Sequence, residues 1–196
     1  MGKKEVNVMK IVDISDTIYG RGFLVSIAKV IFEYIQGNRQ EKLIIVVGPC
    51  QLGQDYRRTI LAQSPLNKNL SDIDIAASAL NAMLIQVGVP HRNFGIIVKK
   101  PTKKEIRNFQ VSDKNILIVA DWKPQEMVYA APRRVAEIAN AEEVIVLRES
   151  RLEDQEIRDQ IWHDLNATIK HCNLANLQNA IRGERFIGSI IPPWQR

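Results

Sequence analysis

The sequence predicts an α/β fold, a three-layer αβα sandwich built on a mainly parallel sheet. Short apolar runs rich in β-branched residues recur along the 196 residues, and stretches with three- and four-residue apolar spacing lie between them. Most of the runs are apolar nearly throughout, as in strands covered on both faces. Strands that alternate with helices in this way form a parallel sheet with helices on both sides.

The strand signals fall at 8–14, 43–47, 94–98, 116–119, 144–147 and, more briefly, 186–191. A first helix over 21–36 carries Phe23, Ile27, Val30, Ile31 and Tyr34 on one face, with Lys29 and Glu33 elsewhere. The stretch 71–87 has a broader stripe (Ile75, Ala76, Ala79, Leu80, Met83, Leu84, Val87), which suits a helix buried against a core and also against an interface. An alanine-rich helix is expected over 130–139. A charged helix is expected over 154–169, with Ile157, Ile161 and Leu165 as its narrow apolar stripe. The last helix, 174–181, is opened by Asn173 and ended by Gly183. The length suits one domain over 1–196, with no repeat and no low-complexity linker.

Ordinary hydrophobic (45%) and charged (25%) fractions argue against disorder. No apolar run reaches the roughly 18–20 residues of a membrane span, and Met1 to Val6 has no apolar signal-peptide core, so a cytoplasmic protein is expected. Cys50 and Cys172 make neither a metal spacing nor a disulfide framework. Cys50 is either a reactive thiol at a helix start or a small buried filler, the commoner case. The net charge is +5, and part of it is local: Lys99, Lys100, Lys103, Lys104 and Arg107. Such a run fits a solvated face or an anion patch. Without interleaved aromatics or a nucleic-acid motif, nucleic acid is not the expected partner.

In parallel sheets ligands bind beyond the C-terminal strand ends. The loop after 43–47, Gly48-Pro49-Cys50-Gln51-Leu52-Gly53, stands where a helix N-terminus would meet a phosphate. Yet Pro49 has no N–H to donate, and Cys50 carries a Cβ where a phosphate needs close approach.

Three segments, in order, resemble the amino acid kinase family, and its uridylate kinase branch most. They are Asp72-Ile-Asp-Ile-Ala-Ala-Ser-Ala-Leu-Asn-Ala-Met-Leu84, Ala130-Ala-Pro-Arg-Arg-Val-Ala-Glu-Ile-Ala-Asn-Ala141 with Glu143-Val-Ile-Val, and Asn173-Leu-Ala-Asn-Leu-Gln-Asn-Ala-Ile-Arg-Gly-Glu184 with Gly188-Ser-Ile-Ile. The resemblance implies an amino acid kinase-like fold and homo-oligomers. It also implies four nucleotide elements, and each is altered. Asp13 stands for the lysine that meets ATP phosphates in the family, Ser15 and Asp16 for glycines, and Thr17 for serine. Replacing a cation by an anion at about 4 Å turns an attraction of about 4 kcal/mol, at an effective dielectric near 20, into a repulsion of that size. The family's glycine triplet is Gly48-Pro49-Cys50 here, Ala120-Asp121-Trp122-Lys123-Pro124 follows the fourth strand, and Leu147 runs directly into Arg148.

Other groups have two readings each. Asp13, Asp16 and Asp121 suit a Mg²⁺ site or act as cap and turn residues; the metal is left unknown. Gly20-Arg21-Gly22 suits an anion cradle or a flexible helix start. Arg57 and Arg58 suit an anion or a solvated face, and Trp122 a planar ligand or packing. His91, His163 and His171 show no ligand spacing. The candidate ligand residues are therefore Asp13, Ser15, Asp16, Thr17, Gly48, Cys50, Arg57, Asp121, Trp122 and Lys123, with none assigned as catalytic.

The expectation is a non-catalytic or repurposed kinase-fold protein, a pseudokinase, acting through a small anionic ligand or through assembly with itself or a related subunit. An active small-molecule kinase with a rearranged site at Lys10, Lys123 or Arg57 is the alternative, and only it brings ATP and Mg²⁺ as cofactors. A weaker alternative is an anion- or nucleic-acid-binding protein.

Overall fold

Seven strands form one sheet in a computed structural model that describes residues 9–14, 21–37, 41–63, 70–87, 94–97, 99–122, 130–147, 162 and 165–191. The strands are β1 (Met9–Ile14), β2 (Lys42–Val47), β3 (Phe94–Ile97), β4 (Ile116–Ala120), β5 (Glu143–Leu147), β6 (Thr168–Cys172) and β7 (Gly188–Ile191). The helices among the described residues are α1 (Arg21–Gly37), α2 (Cys50–Gln63), α3 (Leu70–Val87), α4 (Lys103–Val111), α5 (Ala130–Ala139) and α6 (Leu174–Arg182). The strand order is β3-β4-β2-β1-β5-β6-β7. All pairings are parallel except that of the edge strand β7 with β6. The predicted αβα sandwich with a mainly parallel sheet is therefore observed.

Period-two alternation sorts the strand residues onto two faces. Val12, Ile14, Leu43, Ile45, Val47, Ile118 and Ile145 pack with α1, α3 and α6. Met9, Ile11, Ile44, Val46, Val119, Val144 and Val146 pack with α4, α5 and Trp162. β1, β2, β4 and β5 are buried on both faces, which is why β2, β4 and β5 read as near-continuous apolar runs and β1 as one broken only by Lys10 and Asp13. The inner side of α3 buries Asp74, Ala77, Ser78, Asn81, Ala82 and Ile85. By length and composition alone α3 would reach across a bilayer, contrary to the sequence expectation that no stretch does. In the fold its polar side chains Asp74, Ser78 and Asn81 are buried facing the rest of the chain.

Two elements differ from expectation. The helix expected to run through Ile169 gives way to strand β6, where Ile169 and His171 alternate with Lys170 and Cys172 in register with β5. The lysine and histidine interrupt the apolar run and conceal the strand; the stretch 154–161 lies outside the described residues. Second, the basic run contains a helix, α4, that sequence reasoning passed over. Thr102 is its N-cap: its side chain accepts from the Glu105 backbone N–H, and the Glu105 carboxylate accepts from the Thr102 backbone N–H. The last helix is as predicted, with the Asn173 side chain accepting from the Asn176 N–H and Gly183 closing it at φ +74°.

The N-terminal edge of the sheet carries three buried lysines, Lys10, Lys42 and Lys170. Helices of a parallel α/β fold return to this edge, so their C-terminal carbonyls gather here and attract cations. Lys10 Nζ donates to Ile181 O (2.7 Å), Tyr34 Oη (3.3 Å) and Glu41 Oε2 (3.1 Å). Lys170 Nζ donates to Glu143 Oε1 (2.8 Å) and Ala180 O (3.3 Å). Lys42 Nζ donates to the carbonyls of Phe109, Ser112 and Lys114 (3.1, 2.6 and 2.7 Å).

Candidate functional site

The chain reverses its winding about β1, with β2, β3 and β4 on one side and β5, β6 and β7 on the other. Such a switch point, at the C-terminal strand ends, is where α/β folds bind ligands. Asp13, the penultimate residue of β1, stands there, 1% exposed, level with Val46 on β2 and Val146 on β5. Alternation places it on the sheet face covered by α4 and α5. Asp121, just beyond β4, is also buried; its N–H donates to Val47 O at 2.8 Å. Trp122 packs half-buried against the core of that same face, and its indole Nε1–H is buried with no acceptor among the described residues. Asp13 and Asp121 each have further interactions within the chain.

The Gly48-Pro49-Cys50 turn belongs to the opposite face. The Asn81 side-chain amide of α3 donates to both Gly48 O (3.0 Å) and Pro49 O (2.9 Å). The Cys50 thiol is buried, with Ile14 O at 3.7 Å and Gly48 O at 3.4 Å as its acceptors. Cys50 is thus the packed filler of the two alternatives. Its backbone lies in the left-handed region, φ +49°, which costs a residue with a Cβ about 1 kcal/mol or more. Gly53 lets the turn close over α2: a Cβ there would lie 2.5 Å from Pro49 Cβ and 3.0 Å from Asp74 Oδ1. The turn's carbonyls and its thiol are therefore engaged internally.

Arg57, one helical turn after Gly53, meets the buried Asp74 carboxylate at 3.3 Å. An anion would have to compete with that partner. Lys10 is not a substitute cation for this loop. It is level with Leu43, and five residues of strand, about 16 Å at about 3.3 Å per residue, separate that level from Gly48. Ser15, Asp16, Thr17 and Lys123 lie outside the described residues, as do His91, His163 and Arg148. Among the described residues no group of three His, Cys, Asp or Glu is placed to hold a metal ion.

One residue that its sequence spacing set aside as a ligand joins the row. His171 on β6 is level with Val146, which is level with Asp13. Two strand spacings, about 10 Å, separate them, and His171 is buried on the same face, with interactions of its own within the chain. No spacing in the sequence relates positions 13 and 171; only the alternation of 169–172 points to it. Burial pushes the neighbouring Cys172 thiol up to about 12, with Lys170 opposing, so it stays protonated and inert.

No protein-family model matches the sequence, and no curated protein matches it significantly. Solved structures do match. A uridylate kinase from Archaeoglobus fulgidus aligns with a TM-score of 0.66 at 18% identity, over 92% of this chain and 97% of that one. A UMP kinase from Bacillus anthracis aligns with a TM-score of 0.68 at 11% identity, over 93% and 98%. The fold is that of the uridylate kinases. The uridylate kinase fold extends over almost the whole chain, as the resemblance of the three sequence segments implied.

Proposed function

We propose that this chain is a non-catalytic or repurposed protein on the uridylate kinase fold. The observation that carries the proposal is Asp13, a carboxylate buried at the C-terminal end of β1 beside a turn whose Pro49 has no N–H to donate and whose Cys50 side chain is packed inward. Phosphoryl transfer depends on positioned cations and free backbone N–H groups around the phosphates. Here a proline and an engaged cysteine occupy the turn, and a buried aspartate stands at the place that the resemblance assigns to a lysine. Of the cations proposed as substitutes, Lys10 binds helix α6 at the far edge of the sheet and Arg57 binds Asp74.

A ligand other than ATP suits the opposite face of the same strand ends. There the half-buried Trp122 offers an aromatic body beside Asp121. Assembly is the second part of the reading. On α3 the residues Ile73, Ala76, Leu80, Met83 and Val87 repeat at three- and four-residue steps, and the last four are exposed. A stripe of this period without charge is self-complementary and suits a second copy across a two-fold axis.

Isothermal titration with ATP–Mg²⁺ tests the proposal. No saturable heat up to millimolar nucleotide is expected, and no phosphate transfer to UMP or to a panel of small acceptors. Micromolar binding together with transfer would establish the active-kinase alternative, with ATP and Mg²⁺ as its cofactors.

A further inference from the structure

We propose that the surface formed by residues 99–114 binds the phosphate backbone of nucleic acid without reading its sequence. The segment holds six basic residues against two acidic ones, a net +4, whereas the whole chain holds 27 against 22, a net +5. The other 180 residues, 21 basic against 20 acidic, therefore carry only +1. Nearly all of the protein's excess charge lies on this one segment, α4 and the residues that flank it.

All six cations, Lys99, Lys100, Lys103, Lys104, Arg107 and Lys114, are exposed. At about 100° per residue, Lys103, Arg107, Val111, Lys104 and Asn108 span one continuous arc of α4, whereas Ile106 and Phe109 turn into the core. One of the two acids is engaged: the Glu105 carboxylate accepts from the Thr102 N–H (2.7 Å) and hydroxyl (2.8 Å), and these bonds hold it below the usual carboxylate range. The cap fixes the helix while its anion faces the cap and leaves the arc cationic. The nine residues of α4 span about 13 Å, and that length of duplex carries roughly eight phosphates.

The composition of the surface selects among polyanions. Protein interfaces are depleted in lysine and anchored by aromatic, Met or Arg side chains. This surface has five lysines, one arginine and no exposed aromatic residue. Insertion into a membrane needs an apolar face, and α4 exposes only Val111 beside its charges. The lack of base-stacking groups argues against base readout and stacked single strands, the modes the sequence already disfavours; clustered lysines remain suited to phosphate contacts, which position but do not specify.

The test is fluorescence anisotropy with a labelled 20-base-pair DNA and a 20-nucleotide RNA of mixed sequence. Micromolar binding at 50 mM salt is expected, indifferent to sequence and about a hundredfold weaker at 200 mM on the duplex, as about four neutralised phosphates require. The variant Lys99→Gln/Lys100→Gln/Lys103→Gln/Lys104→Gln/Arg107→Gln keeps Thr102 and Glu105, so the capped helix is retained, as circular dichroism checks. It is expected to lose at least tenfold in affinity and to flatten the salt slope. A control with equal charge loss elsewhere, Lys29→Gln/Arg58→Gln/Arg134→Gln/Arg182→Gln/Arg185→Gln, is expected to bind within threefold of the parent. No binding at 50 mM salt overturns the proposal, and so does equal weakening in both variants. Binding to anionic lipid vesicles without binding to either nucleic acid also overturns it.

Discussion

Cys50 holds a backbone conformation that suits glycine, φ +49°, at the start of α2, and its thiol is turned into the protein. Two consequences can be measured. Cys50→Gly relieves about 1 kcal/mol of strain while giving up the thiol's contacts, so its stability in urea should fall within about 1 kcal/mol of the parent. Cys50→Val puts a β-branched side chain into the left-handed region and should cost about 2 kcal/mol or more. Equal stability of the two variants would refute the strain. The prospect of a phosphate loop with missing donors was legible in Pro49 and Cys50 themselves, since a proline lacks an N–H wherever it sits. The role of Asn81 was not. It lies about thirty positions away, and only the packing of α3 against β2 brings its amide to the two carbonyls.

At the scale of the element, α4 is fastened at both ends. The capping box Thr102–Glu105 holds its N-terminus, and the buried ammonium of Lys42 gathers the carbonyls at its C-terminus. Lys42→Met leaves three carbonyls without that donor and should cost about 2–4 kcal/mol in chemical denaturation. Burial holds the Lys42 ammonium below the ordinary lysine range, with Asp113 opposing. The sign follows from proton counting. In the alkaline range between the lowered folded value and the ordinary unfolded one, the unfolded chain binds more protons, so this residue makes stability rise with pH. The Met variant should lack that rise when stability is compared across alkaline pH; an identical pH dependence in both proteins would show that burial does not act on Lys42 in this way. The capping pattern Thr-x-x-Glu is present in the sequence, but the lysines around it read as a charged run rather than as a helix. β6 was harder to see, because Lys170 and His171 break its apolar run and become buried only through their partners in the fold.

At the scale of the molecule, the sheet separates two kinds of chemistry. Buried lysines and helix C-termini meet at one edge, and buried carboxylates with Trp122 meet at the other. Assembly is the property that belongs to the whole. Light scattering at micromolar concentration should find a dimer or larger species, and Leu80→Glu/Met83→Glu should yield a folded monomer, since both side chains are about half exposed in the isolated chain. A parent protein that is monomeric, or a variant that still associates, would remove the α3 stripe from the account.

The sequence by itself determined the layered α/β architecture, because the periods of two and 3.6 that separate strand from helix are local properties of the chain. It also determined that the phosphate-loop residues are unusual, because donors, charges and Cβ atoms belong to residue types. Only the tertiary structure decided where those groups act. It put Lys10 at the wrong end of β1 to serve the Gly48 turn, turned that turn inward onto Asn81, and set His171 level with Asp13. Each of these depends on register and packing between residues distant in the chain, and no local pattern encodes them.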